Sequence, residues 1–354
     1  MDLFLEILDT YALDQFYAKV CPKETCTFVN QLPKVLQNGA SERSIVDSVL
    51  NGTYAEMPDI YGQPFLLDPS PYINQSGLAR DNLLRQALTV YVVTWIFGYI
   101  LYLGTAYLSY TFIYDHTNFK HPKFLKNQVS LEIKQALRSI PIMTAYTVPW
   151  FLFELRGYSK LYWKPDSYGW AYFAIQFPLF IMFTDMGIYM VHRWLHWPGV
   201  YKHLHKPHHK WLVPTPFASH AFHPMDGYLQ SVPYHIFPFV FPLQKVAYMA
   251  LFVFVNIWSV MIHDGEYLAN NPVINGSACH TIHHLYFNYN YGQYTTLWDR
   301  LGRSHRTPDQ ELFDKSMRSS KKTWEKQISA LEKIAKDVEG DDDRVYATDE
   351  KKTK

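Results

Sequence analysis

The sequence contains little cysteine and little net charge, and each shortage excludes a class of protein. Three cysteines in 354 residues are too few for a disulfide-rich scaffold or a thiolate zinc cluster. Cys21 and Cys26 are spaced to form one small disulfide loop or to remain two free thiols. The formal net charge is +1, which gives no reason to expect a nucleic acid or another polyanion as a partner.

Charge is also missing from long internal stretches, and these stretches predict membrane spans. Residues 87–114 carry no charged side chain, a length sufficient to cross a bilayer with some tilt. Aromatic residues make up 17% of the chain, as suits a protein with tryptophan and tyrosine at membrane interfaces. The predicted apolar spans lie near 87–114, 139–153, 167–191, 227–244 and 246–262. The last two form a helical hairpin broken between Pro242 and Lys245.

We therefore predict an all-α integral membrane protein, a transmembrane helical bundle with a histidine-rich helical cap on its cytosolic face. Residues 1–86 form a lumenal N-terminal region, and the first twenty lack the basic start of a cleavable signal peptide. Residues 87–305 are predicted to form one membrane domain. Residues 306–354 form a charged cytosolic tail whose last fifteen residues are predicted to be disordered.

The orientation follows from the basic residues after the first span, which include Lys120, Lys123 and Lys126 and favour the cytosolic side. The N-terminal region then faces the lumen, where Asn51 and Asn74 each begin a glycosylation acceptor sequence. Arg156, Lys160 and Lys164 oppose this assignment, because they place basic charge on the lumenal side.

Histidine is concentrated in one window, because 13 of the 16 histidines lie between His192 and His284. They form three clusters with short, regular spacing. On a helix, residues three or four positions apart share one face, so each cluster can direct several imidazoles toward one place. The predicted metal ligands are His192, His196, His205, His208, His209, His280, His283 and His284. His263 is a candidate for a ninth.

Eight imidazoles exceed what a single ion accepts, so two ions sharing the set is the simplest interpretation. Imidazole suits zinc, copper, iron and nickel. A structural zinc site is disfavoured because no thiolate cage accompanies the histidines. Two redox ions are better matched to activating oxygen, and the residues alone leave the metal open.

A second set of residues is predicted to support the ligands or to contact substrate, and no catalytic side chain is predicted beyond the ligands. Carboxylates near the clusters can fix imidazole tautomers, and Asp264, Glu266 and Asp299 are further candidates for that role. Each of these acids can equally be an ordinary surface or capping residue. The supporting set is His203, His220, His223, Asp226 and Thr215.

These motifs resemble those of the fatty acid hydroxylase and sterol desaturase superfamily of membrane di-iron oxygenases. The resemblance covers roughly residues 85–305 and rests on the His-x3-His, His-x2-His-His and His-x2-His-His pattern. Within the superfamily the chain is similar to fungal sterol C5-desaturases of the lathosterol oxidase type. The distinguishing stretch is Pro216-Phe-Ala-Ser-His-Ala-Phe-His223, which fatty acid hydroxylases lack.

The resemblance implies that residues 87–305 form a membrane di-metal oxidase domain, and it also implies a reaction and its partners. A Δ7-sterol such as episterol would gain the C5–C6 double bond on the ergosterol route, with two non-haem iron ions as cofactor. Molecular oxygen would be reduced with electrons from cytochrome b5 and NADH-cytochrome b5 reductase. The resemblance also implies the endoplasmic reticulum membrane, and the lysine-rich end Lys351-Lys-Thr-Lys354 is similar to a cytosolic retrieval signal.

Two alternatives stay open at the level of the sequence. One is another oxygenase of the superfamily, either a sterol C4-methyl oxidase or a fatty acid hydroxylase, because the same metal centre serves all three reactions. The other is a non-enzymatic membrane metal-binding protein or transporter. A transporter would place ligands within the spans, whereas these clusters follow the ends of spans.

Overall fold

The computed structural model of the chain describes residues 2–26, 67–268, 270–339, 342 and 344–347. The Asn51 acceptor sequence and the Lys351–Lys354 signal lie outside these residues. The architecture is mainly helical. Its α-helices are α1 (Asp2–Leu8), α2 (Asp14–Val20), α3 (Leu83–Phe112), α4 (Gln128–Leu155), α5 (Trp170–Leu195), α6 (Pro198–Val200), α7 (Lys206–His209), α8 (Pro224–Val240), α9 (Lys245–Ile262), α10 (Ser277–Tyr286), α11 (Leu297–Leu301), α12 (Lys315–Arg318) and α13 (Lys321–Glu339).

Shorter helical turns complete these elements. π-Helical segments cover Asp9–Leu13 and Tyr201–His205, and 3-10 turns cover His116–Lys120, Pro216–His220 and Gln310–Phe313. Two strands of two residues each, β1 (Leu161–Tyr162) and β2 (Leu243–Gln244), pair in parallel. The all-α prediction is therefore right for the long elements and misses this one short pairing.

Each predicted span coincides with one long helix, namely α3, α4, α5, α8 and α9. Three of them, α3, α5 and α9, are long and apolar enough to cross a membrane. Helix α4 carries Glu132, Lys134 and Arg138 in its first half, and α8 has only 17 residues. Crossing by α4 and α8 stays a prediction.

Large apolar side chains on α3 lie on the surface, as a lipid-facing helix requires. Ile96, Ile100, Leu108 and Phe112 are all more than half exposed. A contiguous apolar surface of this kind is costly in water and favourable in a hydrocarbon layer. The length, composition and exposure of α3 together identify a membrane protein.

The described chain divides into two compact units, and the first contains Met1–Ile96, Thr144–Gln176 and Pro238–Met249. In this unit a disulfide joins Cys21 to Cys26. Arg85, in the first turns of α3, is buried and forms 2.6 Å ion pairs with Asp9 and Asp14. Because these acids neutralise its charge, α3 begins at Leu83, ahead of the uncharged run predicted from residue 87.

The second unit contains Phe97–Met143, Phe177–Phe237 and Ala250–Lys354, and therefore every clustered histidine. Helix α13, which lies in the charged tail, buries one face here. Its Leu331 packs in a core with Tyr201, Leu212 and Phe287. The charged tail thus contributes to the packing around the histidines.

The end of the tail differs from its predicted disorder. Tyr346 pairs with Leu125 in an isolated antiparallel bridge, and Arg344 donates a hydrogen bond of 3.1 Å from Nη2 to the carbonyl oxygen of His209. Lys123 lies over the Tyr346 ring at 4.7 Å from its centroid. These specific contacts fix residues 344–347, so the prediction of disorder, which composition alone suggested, is wrong there.

Candidate metal centre

The clustered histidines are delivered by four segments of the second unit. His192 lies in the last turn of α5, and His196 follows that helix by one residue. The π-helical segment and α7 supply the second cluster, and α10 supplies the third. His263 follows the last residue of α9. Each histidine therefore lies in or directly after a helical segment, where neighbouring backbone bonds fix its direction.

The imidazoles form two groups, and within each group the candidate ligand atoms all lie within 4.8 Å of one another. All nine rings except His196 are buried. The first group contains five histidines and the second contains four. They are His192, His196, His205, His209 and His283 in the first group, and His208, His263, His280 and His284 in the second.

Histidines four residues apart always share a group, as helical geometry predicts. This holds for His192 with His196, for His205 with His209, and for His280 with His284. The prediction that His208 shares a face with His205, and His283 with His280, is wrong. His208 and His283 each enter the other group, because adjacent residues on a helix point about 100° apart.

The groups adjoin each other. The rings of His209 and His284, which belong to different groups, have centroids 5.1 Å apart, and those of His205 and His208 are 5.5 Å apart. Two ions held by these groups would be near neighbours, as in the paired-metal sites of oxygen-handling and hydrolytic proteins.

The outward Nδ1 atoms of four rings are held by hydrogen-bond acceptors. His205 Nδ1 lies 2.7 Å from Asp226 Oδ2, as expected for a carboxylate that fixes a ligand tautomer. The other three donate to backbone carbonyl oxygens at 2.6–2.9 Å: His192 to Tyr291, His283 to Tyr289 and His263 to Ser259. A carbonyl or carboxylate oxygen only accepts, so in each case the proton resides on Nδ1.

The inward Nε2 atoms are then bare acceptors that face one another. His192 and His205 both carry their proton on Nδ1, yet their Nε2 atoms lie 3.1 Å apart. Two lone pairs at this distance repel unless a cation lies near both. A second proton on His205, placed on Nε2 and balanced by the Asp226 carboxylate, would remove the repulsion in this one pair. His196 Nε2 would still be buried without a hydrogen-bond partner among the described residues.

The spacing of these nitrogens fits metal coordination. Metal–imidazole bonds of about 2.1 Å place two ligands at right angles about 3.0 Å apart, and tetrahedral ligands about 3.4 Å apart. Four Nε2 pairs are separated by 2.9–3.1 Å: His192–His205, His209–His283, His263–His280 and His280–His284. The spacing therefore fits imidazoles that share one metal ion.

Burial keeps the rings neutral. Burial in the apolar surroundings, reinforced by neighbouring imidazoles, holds the pKa of His208, His209 and His284 well below the ordinary value of 6.5. Burial lowers the pKa of His263 to about 4. A neutral imidazole is the form that binds a metal, so these ligands need not lose a proton at neutral pH.

Aromatic and aliphatic packing fixes the first group from outside. Phe287 is fully buried and stacks on the His209 ring with centroids 5.0 Å apart. It ends α10 with a positive φ of 58°, which is uncommon for a residue with a side chain. The Tyr201 ring lies 5.4 Å from His196 and 5.6 Å from His209. Leu331 of α13 completes this core.

The remaining predicted histidines lie outside both groups. His203 is exposed on the π-helical segment. His223 Nδ1 accepts a hydrogen bond from the Met225 amide at the start of α8. His220 Nε2 lies 3.2 Å from Asn256 Oδ1 in α9. The predicted support of the ligands by His203 and His223 has no counterpart in these contacts.

The polar residues predicted to support the imidazoles make three different kinds of contact. Thr215 is buried, and its hydroxyl donates to the carboxylate of Glu132 instead of an imidazole. Glu266 pairs with Arg318 at 3.0 Å. Asp299 accepts from the amides of Tyr291 and Gly292 and so orients the carbonyl that receives the His192 proton.

Several supporting residues carry no recognisable sequence signal. The carbonyls of Tyr289, Tyr291 and Ser259 are backbone groups, which every residue possesses. Asp185, inside the span α5, accepts hydrogen bonds from the amides of Gln293 and Tyr294 and shapes the loop after the third cluster. An acidic residue within an apolar run was the one available hint of this role.

Comparison with known proteins adds family information. The fatty acid hydroxylase family model matches residues 177–304, which contain all nine grouped histidines. The chain is 54% identical to "Delta(7)-sterol 5(6)-desaturase ERG3" of Saccharomyces cerevisiae, over 99% of this chain and 98% of that protein. It is 55% identical to "Delta(7)-sterol 5(6)-desaturase" of Eremothecium gossypii, over 98% and 99%. The Candida glabrata protein of the same name is 54% identical over the full length of both chains. No solved structure matches the chain.

The contact between Asp226 and His205 yields a test of metal binding. Asp226→Asn keeps the shape but presents an amide that can donate to Nδ1 and turn the proton onto Nε2. We expect metal affinity to fall by about 10–100-fold, measured by titrating metal-free protein in detergent. The exposed Asp166→Asn is the matched control. Unchanged affinity in Asp226→Asn would show that this carboxylate does not set the tautomer.

Proposed function

The chain belongs to the Delta(7)-sterol 5(6)-desaturase family, and we propose that it introduces the C5–C6 double bond into Δ7-sterols of the episterol type, using molecular oxygen in ergosterol biosynthesis. The observation that carries this proposal is the pair of converging imidazole groups at the ends of apolar spans. Full-length identity above one half to desaturases favours this activity over a sterol C4-methyl oxidase or a fatty acid hydroxylase.

The cofactor proposed is a pair of non-haem iron ions, one in each imidazole group. Imidazole ligands and the absence of thiolates among the nine candidates support iron over structural zinc. When bound, the ions supply the oxygen chemistry that removes one hydrogen from C5 and one from C6. Dioxygen receives these two hydrogens together with two electrons and two protons, and leaves as two waters.

The protein's own residues hold this site in shape. Asp226 and the carbonyls of Tyr289 and Tyr291 keep the Nδ1 protons outward, so that the Nε2 lone pairs stay directed inward. Phe287 and Tyr201 seal the rings of the first group from water. An open recess beside His196, lined by apolar and aromatic side chains that include Met190, Trp194 and Trp197, is the candidate approach to this group.

The orientation we propose places the metal centre at the cytosolic face of the endoplasmic reticulum membrane. Helices α5 and α9 both end at the histidines, so the chain between them must return to the opposite face before Lys245. Helix α8 is the segment available for that crossing. The Cys21–Cys26 disulfide supports a lumenal N-terminal region, because disulfides persist in oxidising compartments.

The proposed electron donor is cytochrome b5 with its NADH-dependent reductase, and a basic surface at the centre supports a protein donor. Residues 186–225 contain no acidic residue. Lys202, Lys206 and Lys210 recur every fourth position, with Lys202 exposed and the other two half-buried, while His205 and His209 between them are buried. This lysine face therefore lies on, or directly after, the helical segments that supply His205, His208 and His209. Charge complementarity predicts that the donor docks there through an acidic surface.

A sterol profile tests the activity. In a yeast strain that lacks its own C5-desaturase, this chain should restore Δ5,7-sterols, and His283→Ala should accumulate Δ7-sterols at normal expression because one ion loses a ligand. The exposed His116→Ala is the control and should retain product formation. Accumulated 4-methylsterols would instead indicate a C4-methyl oxidase, and full activity without His283 would exclude its role as a ligand.

Charge reversal tests the lysine face. The triple variant Lys202→Glu, Lys206→Glu, Lys210→Glu should lose at least about tenfold of its NADH-driven turnover with cytochrome b5, because donor encounter slows. Turnover driven by a small reductant should stay unchanged.

Lys322→Glu, Lys333→Glu, Lys336→Glu on exposed positions of α13 is the matched control. An equal loss with both reductants would contradict a docking role. A loss that appears only in membranes containing anionic lipid would assign the lysines to lipid headgroups.

A further inference from the structure

The span α9 carries a polar stripe that leads to the metal centre. Asn256, Ser259 and His263 occur at positions i, i+3 and i+7, which share one face of a helix. His263 belongs to the second imidazole group. Asn256 precedes it by seven residues, or about 10 Å along the helix axis. A carboxamide inside an apolar span is costly unless it has a partner, so its presence points to a function.

The hydrogen bonds of Asn256 fix which way its amide faces. Its Nδ2 donates to the carbonyl of Phe252 at 2.7 Å, so Oδ1 is the atom that faces His220. His220 Nε2 lies 3.2 Å from this oxygen and must carry a proton to donate to it. His220 Nδ1 is then an acceptor, and the Ser219 hydroxyl lies 3.1 Å away to donate to it. The three side chains form one consistent chain of donors and acceptors.

Among the described residues, these hydrogen bonds leave one acceptor and one donor position of the Asn256 amide unused. An amide oxygen has two lone pairs and an amide nitrogen has two protons. His220 uses one lone pair and the Phe252 carbonyl uses one proton. A ligand hydroxyl can therefore donate to Oδ1 and accept from Nδ2 at the same place. The His220 ring is enclosed by Tyr102, 5.0 Å away, and Phe222, 5.9 Å away, as an apolar ligand requires.

Asn256 and His220 are connected to the second imidazole group through Ser259, on the same helix as Asn256, and Ser219, the residue before His220. The Ser259 carbonyl accepts the Nδ1 proton of His263 at 2.6 Å, and the Ser259 hydroxyl donates to the Ser219 carbonyl at 3.5 Å. Phe222 also contacts His208 of that group, with centroids 6.0 Å apart. A ligand held at Asn256 would therefore lie beside the group that contains His208 and His263.

In a sterol desaturase, the group that binds the sterol 3-hydroxyl must lie close to the metal centre. In a Δ7-sterol only three bonds separate the 3-hydroxyl oxygen from C5, so the two atoms are about 4 Å apart. Whatever binds the hydroxyl must thus lie close to the site where C5 and C6 react. The 3-hydroxyl is the polar atom of the sterol near the reacting bond, so a polar residue that positions this bond acts through it.

We propose that Asn256, oriented by His220, binds the 3-hydroxyl of the sterol and so sets which ring bond reaches the metal centre. This assignment rests on the proposed desaturase activity and adds a specificity-determining residue to it. Asn256 both accepts from and donates to the hydroxyl, whereas His220 acts through Asn256 as a positioning residue. Sterols that lack the hydroxyl lose both hydrogen bonds and leave the half-buried Asn256 amide covered with unused capacity.

The test compares lathosterol with its 3-deoxy analogue as substrates of the iron-loaded enzyme in detergent. For the wild type we expect kcat/KM to favour lathosterol by at least about tenfold. Asn256→Leu should lose activity mainly toward lathosterol, so that the ratio falls toward one, with unchanged iron content. Thr105→Val is the control, because within the described parts of the chain the Thr105 hydroxyl bonds to carbonyls of its own helix, α3.

Two results would overturn the assignment. One is a wild-type ratio near one, which needs no variant and so does not depend on the folding of Asn256→Leu. The other is an Asn256→Leu enzyme whose ratio is unchanged, including an equal loss on both sterols. If the wild type forms no Δ5,7 product from either sterol, the proposed desaturase activity itself fails, and this inference fails with it.

Discussion

The placement of protons on the imidazole rings is the constraint on which the rest of the structure depends. Where Nδ1 donates outward to Asp226 or to a backbone carbonyl, Nε2 is left as a bare acceptor in the interior. Two such acceptors, His192 Nε2 and His205 Nε2, lie 3.1 Å apart in the first group, and they repel one another unless a cation lies near both. The fold therefore holds an arrangement that is unfavourable for the protein alone and favourable once metal is bound.

Holding that arrangement requires rigid support from distant parts of the sequence. Asp299 and Asp185 shape the loop that follows the third cluster, and that loop supplies the carbonyl that accepts from His192. Helix α13 closes the outer side through Leu331, and Arg344 binds the carbonyl of His209. The charged tail, which has the composition of a solvated appendage, is thus part of the wall of the metal centre.

The periodicity of the sequence predicted much of this, because helix geometry is local. Uncharged runs located the five long helices, and four-residue spacing predicted which histidines would share a group. The same reasoning misassigned His208 and His283, since two groups on opposite sides of a short helix cannot be foreseen from one helix alone. His263 was located by its place after an apolar run, and its membership of the second group depends on how α9 packs.

Other features could not be predicted because they are decided by tertiary contacts. The early start of α3 depends on Asp9 and Asp14, which lie about seventy residues away and neutralise Arg85. Backbone carbonyls that hold imidazole protons leave no trace in residue identity. The order of residues 344–347 arises from pairing with Leu125 and from the His209 carbonyl, which composition does not report.

The most direct test of this account is the number of metal ions bound by one chain. Purified protein loaded with ferrous iron and freed of loosely bound metal should contain two iron ions per chain by elemental analysis, one for each imidazole group. A plateau at a single ion, or no retained iron in a folded protein that still desaturates its sterol, would contradict the paired centre.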